Sequence, residues 1–314
     1  MFSKLRLFSG NSNPILAQKV AQESGIPLSN ADIFKFSNDD TFVRIKDNVR
    51  GSDVFVIQST CAPVNDNLME LLIIIDALRR ASAERITAVI PYYGYARSDK
   101  KDQPRVPITA KLVANLLTTA GADRIVNLDL HAGQIQGFFD IPVDHLTALP
   151  ILLDYYSKMK WKNLVIVSPD SGGVKRARKF ATNLKADLAV GDKRRTDNSG
   201  NSSIINIIGN VKGCDTILVD DIVDTATSIT NIAYKLKELG ANKIYATCTH
   251  AVLSDNAVKK IQESPITEFV VTDSIPLTKE KKMCKKFKQL TIANLLAKAI
   301  KKIHLEESIS MLFD

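Results

Sequence analysis

The most informative segment of the chain reads Thr216-Ile-Leu-Val-Asp-Asp-Ile-Val-Asp-Thr-Ala-Thr-Ser-Ile229. Its apolar start predicts a strand over residues 216–219, which ends in two adjacent carboxylates, Asp220 and Asp221. A short turn containing Asp224 then leads into the start of a predicted helix, through Thr225, Ala226, Thr227 and Ser228. A strand, a turn and a helix in this order form the repeating unit of α/β domains.

The same segment has the chemistry of a sugar-phosphate site. Main-chain N–H groups at a helix start, supported by the helix dipole and by hydroxyl side chains, would surround a phosphate. The carboxylates of Asp220 and Asp221 would accept hydrogen bonds from neighbouring hydroxyl groups of a sugar. The alternative is that Asp221 and Asp224 are ordinary helix-capping acids. Two adjacent carboxylates at the end of a buried strand are costly without partners, which favours the binding site.

Strand-like and helix-like segments alternate along the whole chain. The predicted strands are 5–8, 54–58, 85–90, 124–129, 163–168, 216–219, 243–249 and 268–272. The predicted helices include 67–83, 107–120, 172–184, 228–239 and 291–304. This alternation predicts parallel sheets covered by helices. Because 314 residues exceed what one core usually covers and the pattern runs twice, we expect two α/β domains, 1–145 and 146–314. The last helix and the tail are candidates to pack on the first domain.

Composition limits the classes of protein that fit the chain. Hydrophobic residues make up 45% and charged residues 24%, as in an ordinary globular protein rather than a disordered or disulfide-rich one. The longest apolar run, 71–75, is far shorter than the roughly 20 residues that a membrane helix needs. The net charge of +8 suits a polyanionic partner. Aromatic residues at 6% and the lack of a recognised nucleic-acid motif disfavour DNA or RNA.

The cysteines and the first residues bear on localisation. The chain has four scattered cysteines without a Cys-x-x-Cys pair, at positions 61, 214, 248 and 284. This pattern favours reduced thiols over disulfides or metal ligands. The first ten residues lack the apolar core of a signal peptide, so we expect a cytoplasmic protein that is not exported.

Several further segments resemble those of one enzyme family. They are Phe55-Val-Ile-Gln-Ser-Thr-Cys-Ala-Pro-Val-Asn-Asp-Asn67, Ile90-Pro-Tyr-Tyr-Gly-Tyr-Ala-Arg97, Asp129-Leu-His-Ala-Gly-Gln-Ile-Gln-Gly-Phe-Phe-Asp140, Val167-Ser-Pro-Asp-Ser-Gly-Gly173, Gly191-Asp-Lys-Arg-Arg195 and Glu307-Ser-Ile-Ser310. In this order, and together with the acidic segment, they resemble the ribose-phosphate diphosphokinases, also called phosphoribosyl-diphosphate synthetases. The resemblance covers essentially the whole chain.

The resemblance implies a fold and a reaction. The fold would be two tandem, doubly wound phosphoribosyltransferase-like domains with mostly parallel sheets. The reaction would transfer the diphosphoryl group of ATP to the C1 hydroxyl of ribose 5-phosphate, which gives 5-phosphoribosyl 1-diphosphate and AMP. The family also implies Mg²⁺ as cofactor and a homo-oligomer, a hexamer by resemblance, without nucleic-acid or membrane partners.

The resemblance further implies a role for individual residues. Ribose 5-phosphate would contact Asp220, Asp221, Asp224, Thr225, Ala226, Thr227 and Ser228. ATP would contact Phe36, Asn38, Asp39, Asp40, Arg97, Ser98 and Asp99. The magnesium ion would meet His131 and Asp170, and the catalytic cations would be Lys193 and Arg195. Regulatory phosphate or ADP would bind near Arg50, Ser308 and Ser310.

Physical reasoning supports some of these roles and leaves alternatives for others. His131 and Asp170 follow predicted strands, so both are expected at ligand-binding edges of sheets. A carboxylate oxygen suits Mg²⁺ better than an imidazole nitrogen, and without the resemblance His131 would more often be structural, as we expect for His145 and His250. The polar segment 193–201 is predicted to be a flexible loop that closes as a lid over substrate. The alternative is an exposed basic loop.

Four sites depart from the family pattern. Where the family reads Phe-Ser-Asp-Gly-Glu, this chain has Asn38, Asp39 and Asp40 in the last three positions. Ser98 replaces a glutamine, Thr196 and Asp197 replace proline and arginine, and Thr227 replaces a glycine. Nucleotide preference and the level of activity therefore stay open.

The retained acids and bases favour an active enzyme over two alternatives. The departures leave open a non-catalytic regulatory subunit of a synthetase assembly. An ordinary phosphoribosyltransferase would share the segment around Asp220, but the duplicated domain and the region around Lys193 fit it poorly.

Overall fold

A computed structural model describes residues 4–195 and 202–312, with the main chain alone described at 193–195, 202–205 and 311. The chain divides into two compact units. Unit 1 contains Met1–Thr147, Ser274–Pro276 and Thr291–Asp314, and unit 2 contains Ala148–Asp273 and Leu277–Leu290. Whether the ranges 1–145 and 146–314 act as independent domains stays a prediction.

The described elements alternate as the sequence pattern predicts. In chain order the strands are β1 (Leu5–Ser9), β2 (Ala31–Lys35), β3 (Thr41–Ile45), β4 (Asp53–Ile57), β5 (Arg85–Ile90), β6 (Arg124–Leu128), β7 (Val143–Leu146), β8 (Val165–Ser168), β9 (Asp187–Arg195), β10 (Ser202–Ile208), β11 (Thr216–Val223), β12 (Ile244–Ala251), β13 (Glu268–Thr272) and β14 (Phe287–Leu290). The helices are α1 (Pro14–Ser24), α2 (Val64–Arg80), α3 (Thr109–Ala120), α4 (Leu149–Ser157), α5 (Val174–Leu184), α6 (Thr227–Glu238), α7 (Ala257–Glu263), α8 (Lys279–Lys282) and α9 (Ala293–His304).

Unit 1 is built on a five-stranded parallel sheet in the order β1-β4-β5-β6-β7. Every residue of β4 is buried, as expected for a parallel strand that is covered on both faces. Helix α2 packs on this sheet with Leu71, Ile74, Ile75 and Leu78, which are completely buried. Their spacing of three and four residues places them on one face of the helix.

A buried ion pair joins the end of the chain to this sheet. Asp53, at the start of β4, is 0% exposed, and its carboxylate accepts hydrogen bonds from Arg85 at 2.6 and 2.8 Å. His304 Nδ1, at the end of α9, lies 2.9 Å from Asp53 Oδ2. Arg85 also donates to the carbonyl oxygen of Ile303 at 3.1 Å. Helix α9 therefore belongs to unit 1 and packs against α1.

The antiparallel hairpin β2–β3 lies on unit 1 beside α2. Side chains alternate between the two faces of a strand. One face packs partly buried Ala31, Ile33, Val43 and Ile45 against the core of unit 1. The other face carries the directly opposed pair Phe34 and Phe42, and Phe34 is an exposed large hydrophobic residue.

Unit 2 is built on a seven-stranded sheet in the order β10-β9-β8-β11-β12-β13-β14. All neighbouring pairs are parallel except β9 and β10. From β8 the chain moves through α5 to β9 on one side, whereas β11 and the strands after it lie on the other side. The gap between β8 and β11 is a topological switch point, where α/β sheets bind ligands.

The predicted α/β class with mostly parallel sheets is confirmed, and the five predicted helices are present with shifted ends. The predicted helix 67–83 is observed as α2, three residues earlier at each end. Gly121 and Gly240 have positive φ angles of 117° and 84° after their helices, as a left-handed helix end requires. Sequence reasoning missed the hairpin β2–β3, strands β7, β9, β10 and β14, and several short helices.

Two local predictions were wrong. The strand expected over 216–219 continues to Val223 because it pairs with β12 along its full length. The predicted loop at 193–195 is the end of β9, where Arg195 pairs with Ser202 and Lys193 with Ile204 of β10. Residues 196–201, including Thr196 and Asp197, lie outside the described residues. Among the described helices, none is both long enough and apolar enough to cross a bilayer.

We predict that Arg85→Met lowers the free energy of unfolding by about 3 kcal/mol, because it removes the charged partner of a completely buried carboxylate. Urea denaturation followed by circular dichroism measures the loss. The matched control is Arg80→Met, which removes an exposed pair with Asp76 at 2.7 Å. Such a surface pair contributes little to stability because water screens it, so equal losses in the two variants would contradict the buried ion pair.

Candidate functional site

Two carboxylates and one guanidinium form the centre of the candidate site in unit 2. Asp220 and Asp221 lie inside β11, with side chains 26% and 4% exposed. Arg176 of α5 reaches both, with its Nη1 atom 3.1 Å from Asp221 Oδ1 and 3.6 Å from Asp220 Oδ1. The Asp221 N–H donates to Asp220 Oδ1 at 2.9 Å. Because Asp221 lies within a strand, the helix-capping interpretation is wrong for this residue.

The arrangement places two carboxylates beside the guanidinium of Arg176, and ionisation of Asp220 is unfavourable there. Burial raises the pKa of Asp220 to about 7, the negative charge of Asp221 adds to the rise, and Arg176 opposes it. A ligand that brings hydroxyl donors or positive charge would stabilise the ionised carboxylates. The pair is therefore suited to binding rather than to structural support.

A hydroxyl-rich loop, residues 224–228, connects this strand to α6. Ala226 adopts the left-handed conformation with φ of 58° immediately before the first helical residue, Thr227. The side chains of Thr225 and Thr227 are exposed and lie 3.3 Å apart between their hydroxyl oxygens. Thr227 itself is helical, so the replacement of the family's glycine places no side chain in a left-handed position.

Asp170 lies in the turn after β8, near the switch point of unit 2. Its Oδ1 atom accepts the Gly173 N–H at 3.1 Å, and its carbonyl oxygen accepts the Ser168 hydroxyl at 2.7 Å. Gly191 of β9 passes close to this turn, since a Cβ atom there would lie 2.8 Å from the Pro169 carbonyl oxygen. The turn is thereby fixed with the carboxylate of Asp170 partly accessible.

His131 follows β6 at the carboxyl end of the sheet in unit 1, and it is exposed. His145 behaves differently, because its Nε2 atom accepts the Leu130 N–H at 2.9 Å. That bond gives His145 the structural role expected for it. His131 and Asp170 belong to different units.

The predicted adenine-binding segment is the turn of the β2–β3 hairpin. Phe36 is 49% exposed, and its ring centroid lies 5.4 Å from those of Phe34 and Phe42. The Asn38 side-chain amide donates to Asp40 Oδ2 at 2.6 Å. Asp39 has φ of 69°, which explains why a glycine at this position suits the same turn.

The other predicted ATP segment follows β5 in unit 1. Arg97 is exposed, while Ser98 and Asp99 are partly buried. The Ser98 N–H donates to the Tyr95 carbonyl oxygen at 2.9 Å, and the Ser98 carbonyl oxygen accepts the Ala110 N–H at 3.2 Å. These bonds fix the segment at the carboxyl end of a parallel strand, where α/β proteins bind ligands.

The remaining predicted site residues lie outside these clusters. The main chain of Lys193 and Arg195 belongs to β9, and their side chains lie outside the described part of the chain. The Arg50 N–H donates to Asn48 Oδ1 at 3.1 Å, and Arg50 is exposed. Ser308 and Ser310 are exposed and hydrogen-bond each other at 3.0 Å between their hydroxyl oxygens.

Sequence reasoning missed two cations at the site. Arg176 lies among several basic residues on α5, and no sequence signal distinguishes the one that contacts the carboxylates. Lys260, on α7, contacts the hydroxyl-rich loop from a position more than thirty residues further along the chain. Only the folded chain brings these residues to the loop.

The described residues form no complete set of metal ligands, since within them no three His, Cys, Asp or Glu side chains cluster closely enough to hold an ion.

The environment of Cys248 does not favour a reactive thiolate. Cys248 of β12 is directly opposite Asp220. Burial raises the pKa of its thiol well above the ordinary value, and the charge of Asp220 adds to the rise.

The fold and the site define an α/β protein with an acidic strand and a hydroxyl-rich loop at a topological switch point. Residues 5–121 match a family model described as the N-terminal domain of ribose phosphate pyrophosphokinase. Residues 197–314 match a second model, the phosphoribosyl synthetase-associated domain.

Full-length relatives give the same result. The chain is 54% identical over 312 residues to a ribose-phosphate pyrophosphokinase of Bacillus cereus, covering 99% of this chain and 98% of the relative. It is 51% identical over 315 residues to the protein of that name in Fusobacterium nucleatum, covering 100% and 99%. The crystal structure of phosphoribosylpyrophosphate synthetase from Mycobacterium smegmatis is 44% identical with a TM-score of 0.91, covering 97% of this chain and 100% of that one.

The chain belongs to the ribose-phosphate pyrophosphokinase family, a family of enzymes. The family predicted from the sequence motifs is thus confirmed.

The charge imbalance in β11 generates a prediction about stability. A folded-state pKa near 7, above the ordinary 3.8, means that the folded protein retains a proton that the unfolded chain loses between about pH 4 and pH 7. This group therefore lowers stability as pH rises through that window, and the penalty is complete above it. Asp220→Asn should raise the free energy of unfolding by about 1 kcal/mol at pH 8, a Tm increase of about 2–4 °C, and change little at pH 4.

Thermal unfolding without ligand at the two pH values measures this effect. Asparagine keeps an oxygen that accepts the Asp221 N–H, so the hydrogen bond is preserved. Asp154→Asn is the control, because that carboxylate is exposed and pairs with Lys158 on the surface of α4. A Tm gain that is the same at both pH values would show that charge at Asp220 is not the cause.

Proposed function

We propose that the protein transfers the diphosphoryl group of ATP to the C1 hydroxyl of ribose 5-phosphate, giving 5-phosphoribosyl 1-diphosphate and AMP. The observation that carries this proposal is the paired carboxylates of Asp220 and Asp221 directly before a hydroxyl-rich helix start. One short segment thereby offers acceptors for sugar hydroxyls and donors for a phosphate. The identity of more than 50% to full-length synthetases supports the same reaction.

Unit 2 would bind ribose 5-phosphate. The carboxylates of Asp220 and Asp221 would accept hydrogen bonds from the ribose hydroxyls, which relieves the charge imbalance of the pair. Main-chain N–H groups and hydroxyls of residues 224–228 would hold the 5-phosphate, helped by the dipole of α6. The residues assigned to this substrate are Asp220, Asp221, Asp224, Thr225, Ala226, Thr227 and Ser228.

Unit 1 would contribute groups that bind ATP. The exposed ring of Phe36 offers a face for adenine, and the oxygens of Asn38 and Asp40 offer acceptors for its amino group. The planar, positively charged guanidinium of Arg97 would donate hydrogen bonds to a phosphate. Asp39, Ser98 and Asp99 complete the segments assigned to the nucleotide.

Mg²⁺ is the metal that we propose, with Asp170 and His131 as its protein contacts. The donor chemistry fits in part, since the Asp170 carboxylate is a hard oxygen ligand whereas imidazole is a weaker partner for this ion. Because the described residues form no cluster of three ligands, phosphate and water oxygens would complete the shell. The ion would supply positive charge to the phosphates of the nucleotide.

Lys193 and Arg195 are proposed as the catalytic cations. Positive groups that meet the migrating diphosphoryl group would neutralise charge that develops on its oxygens. Both residues belong to the last part of β9, next to the segment 196–201, and would lie at the rim of the unit 2 sheet. Most of the rate acceleration would come from alignment and charge stabilisation, without a covalent intermediate.

Assembly, regulation and localisation complete the proposal. We propose a homo-oligomer, hexameric by resemblance, with Arg50, Ser308 and Ser310 close to a regulatory phosphate site. A cytoplasmic location fits the cysteines, which are buried thiols without a disulfide among the described residues. The alternatives, a regulatory subunit or a phosphoribosyltransferase, are not favoured, because relatives that cover the whole chain carry the synthetase name.

The proposal predicts that the purified protein releases AMP from ATP and Mg²⁺ only when ribose 5-phosphate is present. Lys193→Ala should lower the rate by about a hundredfold or more, as loss of a transition-state charge partner typically does. The control is Lys179→Ala, an exposed lysine on α5 that has none of the assigned roles.

Chromatographic separation of AMP, with and without added phosphate, measures the rate. A folded wild-type protein without turnover would favour the regulatory subunit. Diphosphate release that depends on a nucleobase would favour the phosphoribosyltransferase. Near-normal turnover in Lys193→Ala would remove the assigned role of that lysine.

A further inference from the structure

A lysine from a different helix contacts the hydroxyl-rich loop of unit 2. Lys260 lies on α7, and its Nζ atom donates to the Thr225 carbonyl oxygen at 3.1 Å. The same atom donates to the Thr227 hydroxyl oxygen at 2.8 Å. Lys260 is partly buried, whereas its neighbour Lys259 is exposed and lies 4.0 Å from Glu263. Of these two adjacent lysines, Lys260 therefore contacts the loop, whereas Lys259 lies on the surface.

The chain segment that leads into α7 holds the rest of the loop. The Leu253 N–H donates to the Val223 carbonyl oxygen at 3.1 Å, and the Ser254 N–H donates to the Asp224 carbonyl oxygen at 3.2 Å. The Ser254 hydroxyl also donates to the Asp224 carboxylate. Together with Lys260, this segment contacts every residue from Val223 to Thr227 except Ala226. The loop is thus fixed from one side by residues that follow β12.

The conformation of the loop requires such support. Ala226 has φ of 58°, a left-handed conformation that is unfavourable for a residue with a side chain. Its carbonyl oxygen accepts the Thr230 hydroxyl at 2.9 Å. The carbonyl of Thr225 and the hydroxyl of Thr227, on either side of Ala226, are the two groups that Lys260 contacts. Lys260 therefore links the two residues that flank Ala226.

Counting donors and acceptors shows what this contact does to Thr227. A lysine ammonium has donors only, and a threonine hydroxyl has one donor and two acceptor positions. Lys260 occupies one acceptor position, so the Thr227 hydrogen cannot point towards it. That hydrogen is directed to Thr225 or to an oxygen of an incoming ligand. The glycine that the family has at this position could not make this contact.

We propose that Lys260 is a positioning residue for the loop that binds the 5-phosphate of ribose 5-phosphate. It holds Thr225 and Thr227 across the strained Ala226, orients the Thr227 hydroxyl as a donor, and adds a positive charge beside the phosphate dianion. This inference rests on the proposed function, because it takes the loop as the phosphate site. It also explains how a threonine functions where the family has glycine.

The first test compares two neighbouring lysines. Lys260→Met should raise the KM for ribose 5-phosphate about tenfold, since a hydrogen bond to a charged group typically contributes that much. The KM for ATP and kcat should change less than about twofold, because the Lys260 ammonium contacts the loop assigned to ribose 5-phosphate. A general loss of structure would instead alter both KM values and kcat. Lys259→Met should behave like wild type, and Lys260→Arg should restore most of the affinity. Equal KM values for ribose 5-phosphate in Lys260→Met and Lys259→Met would overturn the proposal.

The second test is a double-mutant cycle with Thr227→Val, which keeps the shape of the side chain and removes the hydroxyl. If Lys260 acts through Thr227, Lys260→Met should raise the KM for ribose 5-phosphate by less in the Thr227→Val background than in wild type. Independent, multiplicative effects would remove the proposed link between the two residues. Tm values for all variants show whether each one is folded.

A binding measurement separates this inference from the proposed function. Titration calorimetry with ribose 5-phosphate, with and without Mg²⁺ and a non-hydrolysable ATP analogue, does not require turnover. Weaker binding to Lys260→Met than to Lys259→Met supports the positioning role even if wild type releases no AMP, in which case only the proposed function fails. Turnover in wild type with equal binding in both variants overturns the positioning role alone. Absence of both turnover and binding in wild type overturns both.

Discussion

The adjacent carboxylates of β11 are the constraint on which the site depends. Asp220 and Asp221 lie in a strand whose other residues are mostly apolar, and Arg176 contacts both carboxylates. The folded protein thereby keeps an electrostatic imbalance that is unfavourable without ligand. Proteins commonly retain such features where binding requires them. The energy that a ligand recovers by satisfying these groups contributes to its affinity.

Unequal strand lengths place the two carboxylates beyond the part of β11 that pairs with β8. The pairing of β11 with β8 runs from Thr216 to Leu218, whereas its pairing with β12 continues to Val223. The last part of β11 therefore extends past β8, beside the turn that contains Asp170. Helix α5, which follows that turn, supplies Arg176. The two aspartates, Arg176 and the turn that contains Asp170 therefore all lie at the same switch point.

The sequence predicts the parts of the site that depend on local pattern. The acids of β11 interrupt an apolar run, and residues 227–229 begin a helix, so both features are visible without a structure. Arg176 and Lys260 are not, because tertiary packing decides which cation of an amphipathic helix turns towards the site. The strand at Lys193 was missed for a different reason, since its residues are polar and do not show the apolar pattern of a buried strand, although its partner β10 follows it directly in the chain. Phe36 needed the hairpin β2–β3 before its exposed ring could be distinguished from a core residue.

The return of α9 to unit 1 has a consequence for synthesis on the ribosome. Asp53 and Arg85 emerge early, but His304, the third member of their buried cluster, is translated more than 200 residues later, after all of unit 2. A nascent chain that has released all of unit 2 still lacks the helix that covers α1. Unit 2 can therefore complete its sheet first, whereas unit 1 must wait for α9 with an apolar surface uncovered. Deletions that remove α9 would consequently affect the unit whose synthesis starts first.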